Sequence, residues 1–108
     1  MPNADMPSGA LVLLILRVLR SAVLHGYAIA QRIHILSEEV LQVEEGALYP
    51  ALQRILVQGW ATSEWGISET NRKVRFYRLT PAGRKELEKQ LAHYERMHGA
   101  IQSVLRTA

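Results

Sequence analysis

The sequence predicts a mainly helical domain with one small β-hairpin, and three observations lead there. Within residues 45–58, Leu48, Ala51, Leu52, Ile55 and Leu56 fall at i, i+3, i+4, i+7 and i+8, the one-sided apolar stripe of an amphipathic helix. Segments 60–67 and 72–79 read as strands joined by the turn-forming run Ser68-Glu69-Thr70-Asn71. Thr80-Pro81 then marks a helix start, with Thr as N-cap and Pro at the first helical position. A presented helix followed by a basic hairpin is the arrangement of a winged helix-turn-helix, to which a long final helix is appended.

At 108 residues the chain is long enough for one compact domain. The expected organisation is a flexible tail over 1–7, a winged-helix domain over 8–80 and a C-terminal dimerisation helix over 81–108. The absence of cysteine excludes a disulfide scaffold, a thiolate zinc site and a cysteine nucleophile, and it suits a reducing cytoplasm. The net charge of +3 is unevenly spread. Between residues 71 and 85 stand six basic residues and no acid, while the rest of the chain is net −3. That focusing marks an anion-binding surface.

The elements follow in order. Residues 11–16, LVLLIL, are too short to span a bilayer, and no positive charge precedes them as a secretory signal requires. They read as part of a helix over 8–20, N-capped by Ser8, in a cytoplasmic protein without a membrane partner. This helix is apolar nearly all round, so core and a second subunit must both cover it, the latter through Leu11 and Leu14. His25-Gly26 opens a second helix to about residue 36, with Tyr27, Ala30, Ile33 and Ile35 or Leu36 as its apolar face. Residues 37–42 break the pattern, with a short strand expected over 41–43.

In the third helix, Pro50 should clash with the carbonyl four residues earlier. That residue is Gly46, the most tolerant type, in the first turn. Gly59 ends the helix at the C′ position. Alternation in the second hairpin strand puts Val74 and Phe76 on one face and Lys73, Arg75 and Tyr77 on the other. In the final helix Leu87, Leu91, Tyr94, His98, Ile101 and Leu105 recur at spacings of 4, 3, 4, 3 and 4. That heptad seam is the expected homodimer interface.

The outward face of the third helix carries the candidate chemistry. Gly46, Ala47 and Pro50 are compact enough to approach a groove wall. Gln53 suits adenine, Arg54 suits guanine or a phosphate, and the Tyr49 hydroxyl suits a phosphate. An ordinary exposed face explains Gln53 and Arg54 equally well, but not Tyr49-Pro50 in a helix. On the hairpin, Asn71, Arg72, Lys73 and Arg75 are the candidate phosphate ligands, and the expected partner is double-stranded DNA with a pseudo-palindromic operator. Glu44 and Glu45 oppose phosphate but favour the helix N-terminus. A winged-helix protein–protein module is the alternative, disfavoured by the basic wing.

Arg78 is expected to lay its stem on the core, and Trp60 and Trp65 to pack against helices. No nucleophile elbow, phosphate loop or carboxylate dyad is present, so neither catalysis nor a cofactor is expected. His25, His34, His93 and His98 lack metal-site spacing and read as surface or seam residues.

The strings LVLLILRVL, HGYAIAQRI, GALYPALQRILVQGW and RKVRFYRLTPAGRKEL resemble the PadR family of bacterial transcriptional regulators. The resemblance spans about residues 10–87. It implies a winged helix-turn-helix, a homodimer held by the first and last helices, and repression of a nearby promoter. It places the family's recognition-helix tyrosine at Tyr49, its wing basic residues at Arg72, Lys73 and Arg75, and its second-strand tyrosine at Tyr77. Phe76 stands where many members have another tyrosine. The single short C-terminal helix resembles the compact subgroup. Some members bind small aromatic effectors near the dimer interface, which here would involve Tyr94.

Overall fold

A computed structural model describes residues 9–107. Its elements are α1 (Ala10–Ser21), β1 (Leu24–His25), α2 (Gly26–Leu36), α3 (Glu45–Val57), β2 (Ala61–Ile67), β3 (Lys73–Leu79) and α4 (Pro81–Leu105). The expected tail over 1–7 and Ser8 lie outside the described residues. Gly9, at φ 83°, occupies the N-cap of α1. Burial of Leu13, Ile15, Leu16, Val18 and Leu19 makes α1 the centre of the core, with Leu11 and Leu14 half-buried.

α2 and α3 form the helix-turn-helix. His25 caps α2, its Nδ1 accepting from the Ala28 amide at 3.4 Å. The inner face of α2 is Gly26, Ile29 and Ile33, not the expected face through Tyr27 and Ile35 or Leu36, which are exposed. The helical phase is set from Ile29 and Ile33, which lie four apart and point at α1 and α3.

No strand forms over 41–43; only Leu41 makes an isolated bridge. The connection instead turns through Glu38 and Glu39 at φ 56° and 66°. Ser37 Oγ holds it by accepting from the Leu41 amide at 3.0 Å, and His34 Nδ1 lies 2.8 Å from the Leu41 carbonyl.

The extra strand is β1. Antiparallel order β1-β3-β2 gives a three-stranded sheet with β3 in the middle. Two-residue β1 pairs Leu24 with Tyr77 and His25 with Phe76. His25 is consequently buried, edge-on to Phe76 at 5.6 Å, rather than at the surface.

α3 keeps its apolar stripe, with Leu48, Ala51, Leu52 and Ile55 buried, and continues unbroken through Pro50. Its end is a Schellman motif. Gly59 at φ 76° donates to the Leu56 carbonyl and Trp60 to the Ile55 carbonyl, both at 3.0 Å. Thr80 ties this end to α4. Its Oγ1 accepts from the Gly83 amide at 3.0 Å and donates to the Gly59 carbonyl at 2.7 Å, while its amide donates to the Trp60 carbonyl at 3.0 Å.

Leu87 is 1% exposed and belongs to this chain's own core, so it leaves the expected dimer seam. Among the described residues of α4, only Gly83 and Leu87 in its first turns are buried. Seam positions Leu91, Tyr94, His98, Ile101 and Leu105 lie exposed along its outer length.

Gly83 packs so closely on the Trp60 carbonyl that a Cβ would overlap it and the Leu79 side chain. Gly83→Ala should lower stability by about 1–3 kcal/mol or more, as overpacking does. Thr80→Val, which loses the cap, should cost about 0.5–2 kcal/mol. Urea midpoints check both, and a wild-type midpoint for Gly83→Ala would remove the junction from the fold's support.

Candidate nucleic-acid interface

The face of β3 that carries Lys73, Arg75 and Tyr77 runs from the core out to solvent. At its inner end Tyr77 sits between Leu24 and Ser63 in the sheet and is only 4% exposed. At its outer end Arg75 and Lys73 project beyond the core, opposite Trp65 and Ile67 of β2. The expected alternation is therefore correct, but Tyr77 is not an exposed ligand. The same face that presents the cations packs on the core where β1 covers it.

Burial raises the Tyr77 phenol above its ordinary range; Arg75 opposes that shift and Tyr49 adds to it. Tyr77 is thus a neutral phenol beneath Tyr49, a support for the surface above it.

Tyr49 itself is half-exposed on α3 and lies across the start of α2. A Cβ on Gly26 would meet its hydroxyl oxygen at 3.0 Å and its ring at 3.2 Å. The absent side chain at Gly26 lets α3 approach α2 with an aromatic ring between them. Tyr49 is held by that packing rather than swinging free.

The wing tip is built by Ser68. Its amide donates to the Arg72 carbonyl at 2.8 Å, and its carbonyl accepts from the Asn71 amide at 2.9 Å. Ser68 Oγ accepts from the Arg72 amide at 3.2 Å and lies 3.0 Å from Thr70 Oγ1. Asn71 takes φ 60°, the left-handed position of a type I turn with a bulge, where Asn is tolerated. Its conformation gives Asn71 a structural place in the turn.

Between α3 and the wing opens a cleft of about 730 Å³. Of the expected DNA ligands, Tyr49, Gln53, Arg72, Lys73 and Arg75 border it, with Tyr77 at its floor. Pro50, Arg54 and Asn71 are exposed but lie outside it. Arg54 instead borders a second groove, between α1 and α4, together with Trp60 and Tyr94. Glu45 and Glu69 bring carboxylates into the cleft, so its basic character comes from the wing.

Two contributors were not expected there. Tyr27, exposed in the first turn of α2, was assigned to an apolar face; its position beside His25-Gly26 at the helix start was the available signal. Trp65, expected against a helix, is 63% exposed and lies under two cations. Lys73 Nζ stands 5.1 Å and Arg75 Cζ 5.7 Å from its ring centre. Trp60 does pack against the core as expected. Arg78 is exposed on the opposite sheet face.

In the lining of the cleft, His25 Nε2 is buried with no hydrogen-bond partner among the described residues, 3.7 Å from Glu69 Oε1. Among the described residues no group of three His, Cys, Asp or Glu gathers as a metal site, and no helix is long and apolar enough to cross a membrane.

This geometry has close relatives. Residues 15–89, most of the chain, match the transcriptional regulator PadR-like family. The chain belongs to that family. A transcriptional regulator from Clostridium thermocellum shares 29% identity at a TM-score of 0.80, over 88% of this chain and 92% of that one. A PadR family regulator from Eggerthella lenta shares 29% at 0.77, over 93% and 85%. Bacillus subtilis PadR, solved in complex with operator DNA, shares 28% at 0.67, over 76% of this chain and 47% of its own length. No curated protein matches the sequence significantly. The PadR-like winged helix is thus the fold of this chain, and transcriptional regulation is the work of its family.

The buried Tyr77 phenol makes a pH prediction. Its folded pKa is raised, so its contribution is complete below the unfolded value of about 10 and is lost as pH rises through the folded value. Stability should therefore fall between about pH 9 and pH 11, and fall less in Tyr77→Phe. Urea midpoints at both pH values check this; equal losses in the two proteins would place Tyr77 in contact with solvent.

Proposed function

We propose that this chain is a homodimeric, sequence-specific DNA-binding repressor acting on a pseudo-palindromic operator. One observation carries the reading: α3 side chains Tyr49 and Gln53 share a single cleft with wing cations Arg72, Lys73 and Arg75. A helix at a groove and a basic strand pair beside it divide the task into base reading and phosphate binding. The Bacillus subtilis relative, solved in complex with operator DNA, supports DNA binding as the use of this fold. Repression is carried over from the family resemblance.

The homodimer is supported by the outer length of α4. Leu91, Tyr94, Ile101 and Leu105 form an exposed apolar row at heptad spacing. A small, flat aromatic effector is supported by the groove between α1 and α4. Its lining joins Val12 and Leu13 to Trp60 and Tyr94, and it reaches Arg54 and Gln58 at the end of α3. A ligand there would touch the reading helix directly, with a coupling of about 1–3 kcal/mol to DNA binding.

Anisotropy titrations with labelled duplexes over a salt series test the DNA reading. Lys73→Ala should weaken binding to all sequences alike and reduce the salt slope by about 1. Gln53→Ala should relax preference at one base position by about 1–3 kcal/mol. Unchanged affinity and slope in Lys73→Ala would remove the wing from the interface. Leu91→Asp should abolish the dimer by burying an unpaired charge, a cost of several kcal/mol. Light scattering reads the result, and a dimer retaining operator affinity would exclude α4 as the arm.

A further inference from the structure

Trp65 is a large aromatic side chain left in solvent at the outer end of the sheet, where burial gives no reason for it. Its surroundings supply one. The ring lies directly opposite Arg75 in the β2–β3 register, with Lys73 two residues along the same face. Lys73 Nζ and Arg75 Cζ approach the ring centre to 5.1 and 5.7 Å, within cation–π range. Arg75 is tied a second time, its guanidinium donating to Ser63 Oγ on the same strand as Trp65. Among the described residues neither cation has a carboxylate within salt-bridge distance.

That combination has a specific physical consequence. Long cationic side chains lose rotamer freedom when they grip a phosphate. A carboxylate partner would order them beforehand but would also cancel the charge that phosphate binding needs. An aromatic face orders them and leaves the charge intact.

We infer that Trp65 is a positioning residue, a platform that holds Lys73 and Arg75 toward the cleft in readiness for a DNA backbone. The inference rests on the proposed DNA-binding function and adds to it the device that readies the wing. Trp65 borders the same cleft as Tyr49 and Gln53, so the ordered cations face the side on which α3 is presented.

The test is a thermodynamic cycle on the full chain, with a fluorescein-labelled mixed-sequence duplex as probe. Trp65→Leu keeps apolar bulk but removes the π face, and should weaken binding roughly three- to tenfold. Trp65→Phe, with a weaker face, should fall between Trp65→Leu and the wild type. In a Lys73→Ala/Arg75→Ala background, Trp65→Leu should have no further effect. Proton NMR of the free protein gives a readout independent of DNA: the Lys73 Hε and Arg75 Hδ resonances should be ring-shifted upfield, and should return to ordinary positions in Trp65→Leu.

A full-sized loss from Trp65→Leu in the background lacking both cations would overturn the platform, because Trp65 would then touch DNA itself. Wild-type affinity in Trp65→Leu, with weakened binding in Lys73→Ala/Arg75→Ala, would overturn the platform and leave the wing in place. Unchanged binding in Lys73→Ala/Arg75→Ala would overturn the wing's role and the platform with it.

Discussion

Thr80 and Gly83, meeting the carbonyls of Gly59 and Trp60, form the contact on which the rest of the arrangement depends. Gly59 and Trp60 link α3 to β2; Thr80 links β3 to α4; Gly83 lies in the first turn of α4. One side chain and four backbone groups thus join four consecutive elements at a single point. Only a residue without Cβ fits against the Trp60 carbonyl at position 83. The angle between α3 and the hairpin follows from this junction, and so does the direction in which α4 leaves the body.

From that point the sheet acts as a lever with a buried inner end. Ala61 and Tyr77 are fixed in the core, and β1 covers β3 only as far as Tyr77 and Phe76. Beyond them the two longer strands continue alone, carrying Trp65, Lys73 and Arg75 into solvent. Packing at one end therefore sets the position of cations at the other. Tyr49, laid over Gly26, does the same for α3 from the helix-turn-helix side. The cleft is the space between two surfaces that are each anchored in the same core.

Much of this was legible in the sequence because it depends on local chemistry. The apolar stripe of α3 is set by helical periodicity, and the C′ glycine at Gly59 and the Thr80-Pro81 start of α4 by backbone hydrogen-bond needs within a few residues. What was not legible depends on contacts distant in sequence. Leu24-His25 has no strand pattern in two residues and is extended only because β3 offers it an edge. Alternation placed Tyr77 on the face of Lys73 and Arg75, but it carries no information on where along that face the core ends. Leu87 keeps heptad spacing with Leu91 although the core claims one and solvent the other. Trp65 looked like a core aromatic, and the cations that explain its exposure come from the opposite strand.

In the proposed function, α3 and the wing of each of two protomers meet DNA as one surface. Hydroxyl-radical footprinting on an operator selected from a randomised duplex library measures this most directly. Two symmetry-related sets of protected backbone are expected, with half-site centres about 10 bp or a small multiple apart. A single asymmetric protected segment, at any protein concentration that saturates the site, would contradict it.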